Sequence, residues 1–323
     1  MANLFRCTGI NKNLGVFVCG GSKGASYYSR NGVTWSLIKG IPDKKINAIG
    51  YGNERFLMSF SGGEIYHSMD GENWSLLSSS SNSNGINTAH GISCIAYGHG
   101  IFVACSSNTG YSYYSTDNGK TWTPMSGGLD SPYYHYGDVV YGNGRFVCIG
   151  CKNGNLNDSK SYYSTDGINW TPMSGLDTEG YFRLAYGNGR FVCIGNYKSY
   201  YSIDGVNWTP MNGLDTNLKY YGLAYGNGRF VCIGNTTNNQ GGKSYYSIDG
   251  VNWTPMSGLP IYSINNDLAY GNGRFVCTAY AGKSYYSTDG VNWTPMSGLD
   301  TIYINSSGNE NYQVYETVAY GEI

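Results

Sequence analysis

The sequence predicts an all-β fold in which seven four-stranded antiparallel blades form a closed ring. The 323 residues include 48 glycines and 33 tyrosines, which favour tight turns and strands respectively. The seven tryptophans recur at intervals of 38 to 48 residues, the spacing of a four-stranded propeller blade rather than of a helical repeat. One string, Tyr-Gly-Asn-Gly-Arg-Phe-Val-Cys-Ile-Gly, starts at three positions: Tyr141, Tyr186 and Tyr225. The predicted fold is therefore a seven-bladed β-propeller.

Each repeat divides into four predicted strands, A to D. Strand A is the apolar piece before Tyr-Gly, such as Leu184-Ala185, and strand B is Arg-Phe-Val-Cys-Ile. Strand C is Ser-Tyr-Tyr-Ser, and strand D is Asn-Trp-Thr-Pro-Met. Asn-Gly and Asp-Gly are turn sequences and connect A to B and C to D. Because the proline of strand D, for example Pro172, cannot donate a ladder hydrogen bond, D is predicted to be the outer edge and A the innermost strand.

The two ends of the chain both offer a strand A for the first blade. Residues 5–10 are one candidate and residues 316–320 are the other. The second continues as Val318-Ala319-Tyr320-Gly321, which matches the repeat better. We therefore predict that the C-terminal strand closes the ring, which hides strand edges, and that residues 1–323 form a single propeller domain.

Charge and cysteine usage exclude several classes of partner. The chain has 20 basic and 21 acidic residues, a net charge of −1, so no electrostatic basis exists for binding nucleic acid or an anionic membrane. No apolar run approaches the ~20 residues of a membrane helix, and no signal peptide is visible. Five cysteines occupy the same Phe-Val-Cys string and are expected to be buried thiols in a reducing compartment: Cys19, Cys148, Cys193, Cys232 and Cys277. Synthesis in the cytoplasm is the expectation.

One segment resembles a known family. The segment 115–122, Ser-Thr-Asp-Asn-Gly-Lys-Thr-Trp, matches the Asp-box (BNR repeat) pattern Ser-x-Asp-x-Gly-x-x-Trp of sialidase-like propellers. Most other copies are one residue shorter in the turn, and blade 1 departs further, at Arg30-Asn31. The paired repeat strings also look like those of propellers in phage tail and bacterial surface proteins. The resemblance implies that each Asp caps a turn and each Trp packs between sheets, so both are structural.

The resemblance argues against sialidase chemistry. Sialidases carry Phe-Arg-Ile-Pro and three arginines for the substrate carboxylate, whereas the nearest strings here are Phe5-Arg6-Cys7 and Phe182-Arg183-Leu184. The four histidines show no ligand spacing, and Cys148-Ile149-Gly150-Cys151 has no second pair for zinc. Neither a metal nor a cofactor is expected.

Function is sought where the repeats differ. The A–B and C–D turns share one end of the blades, the uniform face, and hardly vary. The B–C and D–A loops share the other end, the variable face, and are rich in Tyr and Asn, which suit sugar rings or a protein partner. The predicted ligand-binding residues are Tyr133, Tyr134, His135, Tyr136, Tyr181, Tyr197, Tyr220, Tyr221, Tyr262 and Tyr280. The alternative is that these tyrosines only cover the blade ends.

The central channel is the second candidate site. Alignment of the strand A copies places one residue of each blade at the same level near the variable face: Ala48, Cys94, Asp138, Arg183, Gly222, Asp267 and Thr317. We call this set the channel ring. Its charged members, Asp138, Arg183 and Asp267, could perform glycoside chemistry or form an ion-pair cluster.

Three functions follow from these patterns. The first is a non-catalytic module that recognises a glycan or a cell-surface receptor through the variable face, on a virion or cell surface, within a larger assembly that supplies avidity. The second is a glycosidase-type enzyme that uses the channel-ring carboxylates. The third is a protein–protein interaction scaffold.

Overall fold

The fold is described from a computed structural model of the chain. The structure describes residues 15–21, 26–78, 91–106, 111–126, 128–129, 134–152, 155–176, 183–195, 198–236, 242–257, 259, 265–279, 283–299, 302–304, 310–312 and 315–323. Within them, seven four-stranded antiparallel sheets and one two-stranded hairpin are present. The sheets form the seven blades of a β-propeller.

Each blade contributes one strand to each of four concentric layers. The innermost strands, for blades 1 to 7, are β30 (Tyr315–Gly321), β4 (Ile46–Gly52), β8 (Ile92–Gly98), β12 (Tyr134–Gly142), β16 (Arg183–Gly187), β20 (Leu218–Gly226) and β24 (Asn265–Gly271). The second strands are β1 (Val16–Gly21), β5 (Arg55–Phe60), β9 (Ile101–Ser106), β13 (Arg145–Lys152), β17 (Arg190–Ile194), β21 (Arg229–Thr236) and β25 (Arg274–Ala279).

The outer layers are shorter. The third strands are β2 (Ser26–Ser29), β6 (Ile65–Ser68), β10 (Tyr113–Ser115), β14 (Asn155–Ser164), β18 (Ser199–Ser202), β22 (Gly242–Ser247) and β26 (Tyr285–Ser287). The edge strands are β3 (Ser36–Leu37), β7 (Ser75–Ser78), β11 (Thr123–Pro124), β15 (Thr171–Met173), β19 (Thr209–Met211), β23 (Thr254–Met256) and β27 (Thr294–Pro295). A separate hairpin pairs β28 (Ile302–Ile304) with β29 (Glu310–Tyr312).

The order of strands confirms the predicted topology. Strand β30 pairs with β1 from Val16 opposite Gly321 to Gly20 opposite Thr317, so the C-terminal strand completes blade 1. The proline-bearing strands lie at the outer edge, as predicted. Strand D is shorter than predicted: in blade 4, β15 begins at Thr171, and Asn169 and Trp170 precede the strand.

Apolar side chains between neighbouring blades form the core. Among the described residues, seven clusters of buried side chains occur, each between two adjacent blades. In blade 4 the ring of Trp170 lies 6.2 Å from that of Phe146 in a tilted pair. The indole N–H of Trp208 donates to the sulfur of Met173 in the preceding blade, at 3.4 Å. Apolar burial and the Trp208–Met173 contact therefore join successive blades, while the Trp170–Phe146 pair packs within one blade.

A row of tyrosines on the innermost strands fills holes left by glycines. The ring of Tyr186 lies against Gly142 of the preceding blade so closely that a Cβ on that glycine would be 2.1 Å from its Cγ. The same contact joins Tyr51 of blade 2 to Gly321, with 2.2 Å to Cδ2. Glycine is required at these positions because any side chain would occupy the space of the tyrosine ring.

Polar contacts at the uniform face also link the blades. Asn143 and Gly144 form the A–B turn of blade 4 with φ of +46° and +72°, as the Asn-Gly sequence predicts. The Arg145 guanidinium then donates to the carbonyl oxygen of Asp204 in the next blade and lies over the ring of Tyr163, 5.2 Å from its centroid. The arginine of each A–B turn is thus structural in the blades where this contact is seen.

The C–D turns are held by hydrogen bonds to one Ser and one Asp. In blade 4, Asp166 Oδ1 accepts from the backbone N–H of Ile168 at 2.9 Å and of Asn169 at 2.8 Å. Ser164 Oγ accepts from the Gly167 N–H at 2.8 Å. Burial raises the pKa of Asp166, but hydrogen bonds from Asn169 and Ile168 outweigh it and lower the pKa to about 2. The aspartate is therefore an ionised turn cap.

Candidate binding site at the channel mouth

A β-bulge near the start of the innermost strand shapes the channel mouth. In β12, Tyr136 pairs with Gly150 and Asp138 pairs with Ile149, so Gly137 is an extra residue. A matching register shift occurs in β4, β8, β20, β24 and in the β30–β1 pair. The extra residues, which we call the bulge ring, are Asn47, Ser93, Gly137, Tyr221, Asn266 and Glu316. Bulges re-aim side chains and are common next to functional sites.

Six of the seven channel-ring residues, all except Gly222, line one cavity of about 230 Å³, which agrees with the level that the alignment of strands predicts. Its polar lining comes from both rings: Asn47, Ser93, Asp138, Arg183, Asp267 and Thr317. Asp138, Arg183 and Asp267 are the charged members of the channel ring, on blades 4, 5 and 7. The mouth of the channel is therefore a polar pocket that differs from one blade to the next.

Both aspartates are fixed by backbone hydrogen bonds across a seam between blades. Asp138 accepts from the N–H of Val139 at 2.9 Å and from that of Leu184, in blade 5, at 2.8 Å. Asp267 accepts from the N–H of Leu268 at 2.9 Å and from that of Val318 at 3.0 Å. Each carboxylate therefore uses one oxygen on its own strand and the other on the next blade, so its orientation is rigid.

Burial and the Arg183 charge act in opposite directions on these carboxyls. Burial raises the pKa of Asp138 to about 6, while the Arg183 guanidinium and the Leu184 N–H hold it down. Burial likewise raises the pKa of Asp267, and Arg183 again opposes the rise. Since Arg183 acts on both carboxyls, the three side chains form one electrostatic unit, with one more negative than positive charge when all are ionised.

Two of the predicted ligand-binding tyrosines belong to the core instead. Tyr136 is 1% exposed and Tyr220 is 3% exposed. Tyr136 packs against Tyr162, with 6.3 Å between ring centroids. The hydroxyl of Tyr220 donates to the carbonyl oxygen of Asp215 at 3.1 Å. The prediction that Tyr136 and Tyr220 lie on the binding surface is therefore wrong, because the bulge turns each ring into the space between two blades.

The remaining predicted residues divide into three groups. Tyr221 is half-buried and belongs to the bulge ring at the channel mouth. Tyr134 and His135 lie on β12, opposite Lys152 and Cys151. Five others lie outside the described residues: Tyr133, Tyr181, Tyr197, Tyr262 and Tyr280.

Sequence reasoning missed Asn47 and Ser93, which line the cavity. Ser93 Oγ donates to the carbonyl oxygen of Tyr136 at 2.6 Å, which ties blade 3 to blade 4 at the same level. Both residues directly precede a channel-ring residue, in Asn47-Ala48 and Ser93-Cys94. The sequence signal for these two residues is therefore their position, directly before a channel-ring residue, where the repeats also differ.

Neither a metal site nor a membrane-spanning helix occurs among the described residues. No group of three or more His, Cys, Asp or Glu side chains there is arranged to hold a metal ion. The same residues contain no helix long and apolar enough to cross a membrane. The described Phe-Val-Cys thiols are buried, as predicted.

Comparison with known proteins identifies the class. No protein-family model and no curated protein matches the chain. Among solved structures, YCF48 bound to D1 peptide is 15% identical with a TM-score of 0.59, over 84% of this chain and 90% of that one. Virginiamycin B lyase from Staphylococcus aureus is 12% identical with a TM-score of 0.61, over 78% of this chain and 84% of that one. A chain of a nidogen/laminin complex is 10% identical with a TM-score of 0.52, over 95% of this chain and 98% of that one. At these identities the likeness shows the fold alone: the chain is a seven-bladed β-propeller.

Proposed function

We propose that this propeller is a non-catalytic binding module that recognises a glycan or a cell-surface receptor at its variable face. The observation that best supports this proposal is the channel-mouth cavity, where the blades differ from one another in sequence and present rigid polar side chains. Amide, hydroxyl, carboxylate and guanidinium groups line it, and the half-buried ring of Tyr221 belongs to the same level. Such a mixture suits the hydroxyl groups and ring faces of a sugar.

The Ser-Asp hydrogen bonds in the C–D turns support the Asp-box resemblance. We further propose a phage tail or bacterial surface context. In that setting the chain is made in the cytoplasm and carried on a virion or cell surface. Many copies on one particle would convert weak single sites into firm attachment.

Catalysis is disfavoured by how the two carboxylates are held. A glycosidase needs one carboxyl as acid and another as base or nucleophile at the scissile bond. Here Asp138 and Asp267 perform the same structural task at two seams, with both oxygens of each bonded to backbone. Hydrolysis of any glycan by the unaltered protein, lost in Asp138→Asn, would overturn the non-catalytic assignment.

A protein partner is the second candidate. Structural neighbours include a propeller bound to a peptide and a nidogen/laminin complex, so this fold accommodates protein ligands. A tight protein partner without glycan binding would favour an interaction scaffold.

A glycan array with the full chain tests the first candidate. The variants Asn47→Ala and Tyr221→Ala alter the bulge ring, while Ile203→Ala removes an exposed side chain in a C–D turn on the opposite face. We expect selective binding that weakens about tenfold in the first two variants, a loss of about 1.4 kcal/mol, and is unchanged in the third. Absence of glycan binding, or equal binding by all variants, would contradict the proposal.

A further inference from the structure

A second cavity, of about 990 Å³, lies at the opposite end of the channel, on the uniform face. We call it the uniform-face cavity. The A–B turns of blades 2 and 7 and the end of β30 line it. Its rings are Tyr51, Tyr270 and Tyr320, and its acidic side chains are Glu54 and Glu322. Blade 1 has no A–B hairpin in this sector, because its inner strand β30 and its second strand β1 come from opposite ends of the chain.

The tyrosines are held rigidly with their rings already packed. Tyr320 lies against Gly271, where a Cβ would be 2.0 Å from its Cγ, and 4.9 Å from the ring of Phe17. Tyr51 is packed against Gly321 and lies 4.7 Å from Phe56. The phenol oxygen of Tyr320 already accepts hydrogen bonds from the backbone of Gly15 and Asn272. Since glycine and phenylalanine also pack against the rings, the phenol oxygens of Tyr51 and Tyr270 are the ring groups left for a ligand.

The charge of this cavity is negative and unbalanced among the described residues. Its described lining contains no lysine or arginine, and neither glutamate has an ion-pair partner among the residues that the structure describes. The nearby Arg274 is directed away, because it donates to the carbonyl oxygen of Asn31 and lies over Tyr286. Glu54 and Glu322 line the same cavity as Tyr51, and burial together with their charges raises the pKa of Tyr51.

We propose that the uniform-face cavity binds an organic cation that carries N–H donors, a protonated amine or a guanidinium. The carboxylates neutralise the charge, and the carboxylate oxygens together with the phenol oxygens of Tyr51 and Tyr270 accept its hydrogen bonds. A quaternary ammonium fits less well, because it has no N–H donor and the tyrosine rings are occupied by their neighbours. The ligand is either a free amine or a lysine or arginine side chain of a peptide.

Glu54 makes a clean test possible. It has φ of +58° at a position that is glycine in other A–B turns, such as Gly144 with φ of +72°. The Glu54→Gly variant therefore restores the Asn-Gly turn and relieves backbone strain, so that its fold is retained. Glu322→Gln removes the second charge without changing side-chain size. Glu72→Gln, in the C–D turn of blade 2 and outside this cavity, is the matched control.

The experiment is isothermal titration of the full chain with three probes: butylammonium, the peptide acetyl-Gly-Lys-Gly-amide, and tetramethylammonium. We expect saturable binding of the peptide, of butylammonium or of both, weakened at least about tenfold in Glu54→Gly/Glu322→Gln and unchanged in Glu72→Gln. If only the peptide binds, the ligand is a side chain within a peptide. If butylammonium binds, a free amine is sufficient as the ligand.

Three results would overturn the proposal. They are no binding of either N–H donor probe to the unaltered protein, equal affinity in the double variant, and tetramethylammonium binding as tight as butylammonium. Because this cavity lies at the opposite end of the channel from the variable face, its failure leaves the glycan experiment untouched, and the reverse also holds.

Discussion

The carboxylate of Asp267 accepts a hydrogen bond from the backbone N–H of Val318 at 3.0 Å and thereby fixes the closing strand to blade 7. Its counterpart, Asp138, makes the same contact with Leu184 between blades 4 and 5, at 2.8 Å. The Asp267–Val318 contact joins blade 7 to β30, the strand that closes the ring by pairing with β1. Polar bonds there add to the apolar packing that every seam shares.

Removal of the closing carboxylate is expected to destabilise the fold. In Asp267→Ala the N–H groups of Leu268 and Val318 lose their acceptor, at a cost of about 1–3 kcal/mol for each buried donor left unpaired. Asp267→Asn keeps one acceptor oxygen and should lose less. Urea unfolding measures the difference, with the exposed Asp43→Ala as control, expected within about 0.5 kcal/mol of the parent. Equal midpoints for Asp267→Ala and the parent would contradict this role for Asp267.

The raised pKa of Asp138 predicts a pH dependence of stability. In the unfolded chain this carboxyl has a pKa of about 3.9, whereas in the folded protein its pKa is about 6. Between these values the folded state holds the proton, so this group stabilises the fold at low pH and loses that contribution as pH rises through 6. Asp267, whose pKa is also raised, acts in the same direction.

Urea unfolding at pH 5, 6 and 7 tests this linkage. The difference in unfolding free energy between the unaltered protein and Asp138→Asn should shift in favour of the unaltered protein as the pH falls from 7 to 5. His67, whose pKa is lowered by burial, contributes equally to both proteins and cancels in the difference. A constant difference across the three pH values would show that Asp138 titrates normally.

The C–D turn offers a comparison between two residues at one position. Asn31 of blade 1 occupies the place of Asp166 and accepts from the N–H groups of Val33 and Thr34 at 2.8 and 2.9 Å. An amide oxygen therefore suffices for the turn. We expect Asp166→Asn to cost less than Asp166→Ala, which should lose about 1–2 kcal/mol as for other lost caps. Thermal unfolding of the two variants decides the order, and a larger loss in Asp166→Asn would disprove it.

The periodicity of the repeats made the fold and the channel ring predictable. Because every blade repeats the same strands, aligned positions such as Ala48 and Thr317 must lie at one level of the channel, and they do. The buried Phe-Val-Cys thiols follow from the same regularity. Periodic sequence determines register wherever one strand face packs against the core.

The bulges explain where the prediction of the site failed. Without Gly137 as an extra residue, strand alternation would place Tyr136 on the same side as Asp138, towards blade 5. The bulge reverses this, and Tyr136 joins the core between blades 3 and 4. In β20 the bulge at Tyr221 does the same to Tyr220. A bulge leaves little trace in composition or period, so the sequence did not reveal it.

The contact between tyrosine rings and glycines makes the last prediction. A Cβ on Gly142 would lie 2.1 Å from Cγ of Tyr186, a ring that Phe191 also holds at 4.7 Å. Because that ring has no space to move, Gly142→Ala should cost about 1–3 kcal/mol, as other overpacked core sites do. Gly137→Ala is the matched control, since a Cβ there meets nothing within 4 Å. Urea unfolding should show a lower midpoint in Gly142→Ala alone, and equal losses in both variants would mean that the tyrosine row does not lock the blades together.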